Sequence, residues 1–517
     1  MNTLASSELV TAGWILVIAY AAVILFFVIR GALRTSSIAD YALGSVTFSP
    51  VAVGLALAAS MTSAATFIIN PGFVALYGIS GVISMGIALP AAALVSLVIL
   101  TKGFRAMGTA VKAQTMAQWM GAVYKSKGYT LFFAFLSLLL ITFIVLICVG
   151  LTKVLASVLN LNELYACVGI VVFVFGYMMF GGANSMVYTN LVQAVLMLIV
   201  AVILLGSGYE HFSNGVHGFL DKLAAIDPAL TTVTNPDSFL FRDSFESIFC
   251  QIIIGVAIVC QPHIITKSLL LKDAKDVNQY LLVGIIVQAL FFLVVIAGLY
   301  ARLTFPDLTI NGTAIPVDGI MSAYVVQEFP VYMGLLVVMG LISAGLSTLE
   351  GLIQSLSITI TSDIITPLFG INSETKSVLI NRLVIVVLAI VTILLTFDQL
   401  QNPNLSVGIF AQNGVYAYFS AAFVPVLFGM FLKRVPLVAP VAASLTSVVV
   451  HFAIYYGGLT SYMDAPVRNP GIAAALAILA SVIVGLALYY AFRKPEPAKE
   501  MVTSNALKQP VAYENEV

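Results

Sequence analysis

The sequence predicts an all-α integral membrane protein. Hydrophobic residues make up 61% of the 517-residue chain and charged residues 9%, which leaves too little polar surface for a water-soluble fold. Apolar runs of about 20 residues or more recur from end to end, each long enough to cross a bilayer. They lack strand-like alternation and exceed the length of barrel strands, so helices are expected.

Thirteen spans are expected, centred on residues 10–29, 47–78, 80–101, 129–158, 163–183, 186–207, 244–265, 279–301, 331–363, 378–397, 405–431, 436–456 and 471–492. Placing the N-terminus outside and the C-terminus inside assigns 18 of the 23 Lys and Arg residues to inner loops and helix ends. Only Lys153, Lys222, Arg242, Arg302 and Arg468 then remain outside, a strong positive-inside bias. An even number of spans would break it. All basic residues fall at loops or helix ends on this reading, and none at membrane depth.

The first span reads as an anchor with its N-terminus outside, because no basic residue precedes it and Arg30 and Arg34 follow it. The second holds Ala58-Ala59-Ser60-Met61-Thr62-Ser63-Ala64-Ala65-Thr66 and then Asn70-Pro71-Gly72. The seventh reaches Gln261-Pro262-His263 near its inner end. Helices interrupted at corresponding places in two halves point to a transporter binding site. These two are five spans apart, and a unit of five can repeat only with inverted topology. Spans two to six and seven to eleven would form the halves, with one extra span before and two after. The transmembrane domain is thus residues 1–493, with a repeat core at about 45–434 and extra helices at 10–29, 436–456 and 471–492. Residues 494–517 read as a disordered cytoplasmic tail.

Between the spans there is little chemistry. The outer loop at 208–243 suggests turns and short helices, and its His and Asp residues read as a solvated surface. Asn311-Gly312-Thr313 is formally a glycosylation acceptor. Cys148, Cys167, Cys250 and Cys260 sit in apolar stretches without ligand-like spacing and read as buried thiols.

The ninth span carries the strongest signal, Ser343-Ala344-Gly345-Leu346-Ser347-Thr348-Leu349-Glu350. Ser343, Ser347, Glu350, Gln354, Ser357 and Thr361 recur at steps of three or four and share one helical face. Such a face cannot meet lipid, and a carboxylate at membrane depth marks a functional site. Close helix packing by small hydroxyl residues is the plainer reading of any single serine. Hydroxyls with freed backbone carbonyls are hard oxygen ligands, suited to a small dehydrated cation. In the eleventh span, Gln412-Asn413-Gly414 interrupts an apolar helix and reads as ligand-facing.

These motifs together resemble the sodium:solute symporter family, which includes the sodium/proline, sodium/glucose, sodium/pantothenate and sodium/monocarboxylate transporters. The stretch from Ala59 to Phe67, with Pro71-Gly72 and Tyr77-Gly78, looks like the first core helix. Gly345-Leu346-Ser347-Thr348 looks like the eighth, and Phe180-Gly181-Gly182 with Thr189 and Gln193 like the fifth. Gln261-Pro262-His263 with Lys272-Asp273-Ala274-Lys275 resembles the inner end of the sixth, and Phe428-Gly429-Met430-Phe431 with Lys433-Arg434 closes the tenth. The likeness runs over roughly residues 35 to 435.

The resemblance implies a LeuT-like five-plus-five inverted repeat that imports a small organic solute by alternating access, with Na+ as coupling ion and no enzymatic activity. Its sodium site would fall on the carbonyls of Ala59, Thr62 and Ala344 and the hydroxyls of Ser347 and Thr348. Solute would sit near Ser63, Thr66 and Asn70, with Gln412 reaching in. Many members carry an Asp where this chain has Asn190, while Glu350 stands where small or hydroxyl residues are usual. Glu350 and Asn190 are therefore expected to pair as a second cation or proton site. The stretch from Ser63 to Phe67 is most like the pantothenate and monocarboxylate branch, which favours a small monocarboxylate or pantothenate-like acid. A neutral amino acid or sugar is the alternative. A channel or sensor is the reading from another class, disfavoured by the lack of any signalling domain. The expected partners are the solute and the lipid bilayer of the inner (plasma) membrane. Nucleic acid is not expected at a net charge of zero, and no obligate protein partner is evident.

Overall fold

The computed structural model describes residues 7–45, 47–402 and 406–493, so the expected tail at 494–517 lies outside the described residues. Among these residues, eleven helices are long and apolar enough to cross a membrane, and two bent pairs bring the number to thirteen. They match the expected spans one for one. In order they are Val10–Ala32, Pro50–Met61 with Ala65–Tyr77, Ile79–Val111, Lys127–Leu159, Glu163–Gly181, Ala183–Phe212, Phe245–Ile258 with Pro262–Leu270, Ala274–Thr304, Val331–Phe369, Glu374–Gln401, Val407–Phe431, Val438–Gly457 and Pro470–Phe492.

The two bent pairs are the second and seventh spans, turned by 55° and 56°. Their causes differ. Pro50–Met61 ends because Thr62 adopts extended backbone (φ −107°, ψ 105°), and the chain resumes as a π-helical turn over Ala65–Ile69. The break falls inside the Ser/Thr/Ala run at 58–66, and Asn70-Pro71-Gly72 stays helical. Pro71 lies in the first turn of Asn70–Tyr77, and the wider turn before it absorbs the missing N–H. In the seventh span Gln261 is extended (φ −70°, ψ 136°) and Pro262 starts the inner piece, where a proline costs least.

The ninth and eleventh spans form the centre. In each, 78% of the apolar stretch is buried, against 22% in the first span and 28% in the tenth, which present most of their surface to lipid. Pro50–Met61 packs on the sixth, eighth and ninth spans, so the broken helix meets the hydroxyl-bearing one directly. The polar face of the ninth span is accordingly spread over several neighbours. Ser343 Oγ lies 3.1 Å from Tyr20 Oη of the first span, and Gln354 Nε2 donates to the carbonyls of Tyr41 (2.7 Å) and Ala42 (3.2 Å). Thr361 Oγ1 donates to Asn381 Oδ1 of the tenth at 3.2 Å.

The loop after the sixth span contains the helix Gly215–Ile226 and a short turn, Pro228–Thr231, and Leu230 of that turn packs on Gly78. Asn311 and Gly312 both have positive φ and turn a small hairpin between Thr309–Ile310 and Thr313–Ala314. All four cysteines are buried and unbridged. Gly78 (φ 71°) joins the second and third spans, and a Cβ there would stand 2.1 Å from the Leu230 carbonyl oxygen. Gly78→Ala is expected to cost at least the roughly 1–3 kcal/mol typical of backbone strain and to lift the loop off the junction of the second and third spans. Limited proteolysis and thermal unfolding of the purified variant check this; an unchanged cleavage pattern and melting point would count against the packing described.

Candidate cation and solute site

Five oxygens predicted to bind sodium converge where the second span breaks. A helix leaves its last four carbonyls without intrahelical partners. At the end of Pro50–Met61 Ser60 O is one of these, Ala59 O accepts only from the capping Thr62 N at 3.3 Å, and Thr62 O lies just beyond. Ser347 Oγ donates to Ala59 O at 2.8 Å and approaches Ala344 O at 3.1 Å. Thr348 Oγ1 lies 3.1 Å from Thr62 O, 3.2 Å from Ser60 O and 3.5 Å from Ala344 O. Ser60, Thr62, Ser347 and Thr348 are fully buried. A hard cation with ligands at about 2.3–2.6 Å needs oxygen–oxygen edges of roughly 3.3–3.7 Å. The cluster is slightly tighter than that, so rotating two hydroxyl hydrogens outward and opening it by a few tenths of an ångström would fit a small ion. Thr62 Oγ1 turns the other way, to Gln288 Oε1 of the eighth span at 3.1 Å.

Glu350, two residues beyond Thr348, is enclosed by the fifth and sixth spans. Tyr177 Oη donates to its Oε1 at 2.5 Å and Gln193 Nε2 at 3.0 Å, while Thr189 Oγ1 donates to Oε2 at 2.6 Å. Asn190 completes the set. With its amide oxygen toward Lys267 Nζ (2.9 Å) and Ser60 Oγ (3.2 Å), its nitrogen donates to Gln193 Oε1 (2.8 Å) and Glu350 Oε2 (3.2 Å). This orientation gives both the oxygen and the nitrogen of the Asn190 amide their partners. Glu350 and Asn190 are thus within hydrogen-bonding distance, and the network touches the cation cluster through Ser60.

Lys267 departs from the sequence expectation. The sequence places it at an inner helix end, yet it is 3% exposed on the Pro262–Leu270 piece of the seventh span. The signal was its setting, since beyond the small hydroxyl neighbours Thr266 and Ser268 it is flanked by Ile264 and Ile265 on one side and Leu269, Leu270 and Leu271 on the other. Tyr177, Ser60 and Gln288 were also missed. Each is a single polar group in an apolar helix, and only the neighbouring helices give it a role.

Of the solute candidates, Ser63 and Thr66 are buried beside the break and Asn70 is half-buried farther out. Ser63 Oγ accepts from Ala65 N at 3.1 Å and so caps the outer piece. Gln412 is half-buried, and no hydrogen bond joins it to Ser63, Thr66 or Asn70 among the described residues. The outer end of its span does lie against the broken helix, for a Cβ on Gly408 would meet Ile69 Cγ2 at 3.1 Å. Asn413 is not ligand-facing. It turns to the twelfth span, where His451 Nε2 is 3.0 Å from its Oδ1 and Tyr456 Oη 2.9 Å from its Nδ2. A recess of mixed lining, with Gln114, Thr115, Met116, Pro262, Thr266 and Ile358 among its residues, lies between the ninth span and the Pro262–Leu270 piece of the seventh.

Comparison with known proteins gives the same frame. The model of the Sodium:solute symporter family matches residues 41–444. The sodium/pantothenate symporter of Escherichia coli K12 is 31% identical over 280 residues, which is 52% of this chain and 56% of that protein. This match therefore spans little more than half the relative's length. The monocarboxylic acid transporter of Corynebacterium glutamicum is 24% identical over 496 residues, covering 86% of each chain. The fold resembles that of a Na+-coupled sialic acid symporter solved in a substrate-bound, outward-open state. The TM-score is 0.77 at 19% identity, over 93% of this chain and 97% of the other.

Proposed function

This chain belongs to the sodium:solute symporter family, and from that premise we propose that it imports a small organic monocarboxylate, or a pantothenate-like acid, by sodium-coupled alternating access. It is a multi-pass membrane transporter of LeuT-like fold rather than an enzyme. The observation that carries the coupling reading is the convergence of Ala59, Thr62, Ala344, Ser347 and Thr348 oxygens at the break. Sodium held there would clamp the inner piece of the second span to the ninth and fix the break beside Ser63 and Thr66. Its departure to a low-sodium interior would loosen that clamp, with the recess by Pro262 and Thr266 as the way out. Each charge entering across 100 mV supplies about 2.3 kcal/mol, added to the sodium gradient itself.

The acid is favoured by two kinds of support. The relatives from E. coli and C. glutamicum carry pantothenate and monocarboxylic acids in their names. An anion would also be stabilised by the positive end of the helix dipole where the outer piece of the second span begins and by the bound cation. The bias of basic residues supports an N-out, C-in orientation in the plasma membrane. Purified protein in proteoliposomes, loaded against an inward sodium gradient, is expected to accumulate a labelled monocarboxylate or pantothenate and to stop when choline replaces sodium. Equal uptake in choline would reject sodium coupling. Accumulation of proline or a sugar instead would keep the coupling and replace the solute.

A further inference from the structure

We infer that Lys267 is a tethered counter-cation for Glu350 and takes the place of a second coupling ion, so that one sodium ion moves per cycle. The inference deepens the reading above and rests on it. Among the described residues Lys267 is the buried lysine, and its ammonium reaches Glu350 through one side chain. The path runs from Lys267 Nζ to Asn190 Oδ1 (2.9 Å), then from Asn190 Nδ2 to Glu350 Oε2 (3.2 Å). The three residues come from three spans, the seventh, sixth and ninth.

Counting lone pairs gives the same answer as counting charge. An ionised carboxylate offers about four acceptor sites. Those of Glu350 receive Tyr177, Gln193, Thr189 and Asn190, two on each oxygen. No site is left to ligate a metal ion. One acid and one base are buried together, so wherever the proton sits the pair presents no net charge to the cation cluster that adjoins it at Ser60. That cluster then binds its ion with neutral carbonyls and hydroxyls alone. Removing the ammonium while keeping its stem volume would leave Glu350 unbalanced in a low-dielectric setting. Its field would draw a second monovalent cation into the space beside Asn190.

The test counts ions. Wild-type protein in detergent, equilibrated with radioactive sodium, is expected to bind about one ion per chain, with a Hill coefficient near one for sodium activation of uptake in proteoliposomes. Lys267→Met is expected to bind about two and to raise the Hill coefficient toward two, and Lys267→Met with Glu350→Gln to return both to one. A residue with a purely structural role would change expression or melting point and leave these counts alone. Wild type binding two ions, or a folded Lys267→Met still binding one, overturns the inference. Should Lys267→Met fail to fold, the wild-type count decides by itself. Absence of any bound sodium in folded wild type is a different failure, that of sodium coupling.

Discussion

Replacing Ser347 and Thr348 together by alanine is expected to abolish sodium-driven accumulation while leaving a folded, monodisperse protein. Both side chains sit at the end of the broken helix, where they hold the carbonyls of Ala59, Ser60 and Thr62. A ligand to a charged partner contributes about 1.5–3 kcal/mol, so each hydroxyl is worth roughly ten- to hundredfold in ion affinity. Losing both puts sodium binding beyond physiological concentrations. The fold should survive, because alanine leaves only a small void and freed carbonyls can turn to each other's N–H groups or to water. Sodium titration of uptake and equilibrium sodium binding on the same preparation read the effect. Full sodium dependence in the double variant would place the ion elsewhere.

Glu350→Ala is expected to have the largest effect on stability. It strands four hydrogen-bond donors and leaves Lys267 buried without an acid. Breaking a buried pair by removing one partner costs about 3–5 kcal/mol, because the remaining charge has lost its compensation. Glu350→Gln keeps the volume and one acceptor oxygen and should lose less. Thermal unfolding in detergent should therefore rank wild type above Glu350→Gln and Glu350→Ala last. Equal melting of wild type and Glu350→Ala would mean that the carboxylate is not the hub of this network.

Much of the fold could be read from hydropathy, because lipid forbids unsatisfied backbone and leaves long helices as the open choice. The thirteen spans fell where expected for that reason. In the second span the bend came at Thr62, inside the Ser/Thr/Ala run at 58–66, and Pro71 is carried in the first turn of Asn70–Tyr77.

At the site, the sequence alone determined which helix carries the oxygen ligands, since the spacing of Ser343, Ser347, Glu350, Gln354, Ser357 and Thr361 fixes a single face. It also determined that this face avoids lipid. Only the tertiary structure decided what each member meets. Gln354 meets the carbonyls of Tyr41 and Ala42, Asn413 meets the twelfth span rather than a solute, and Lys267 meets Asn190 instead of water. The physical reason is one of range. Hydrophobic periodicity is a property of neighbours along the chain, whereas these contacts join residues from 38 to 313 positions apart that only packing brings together.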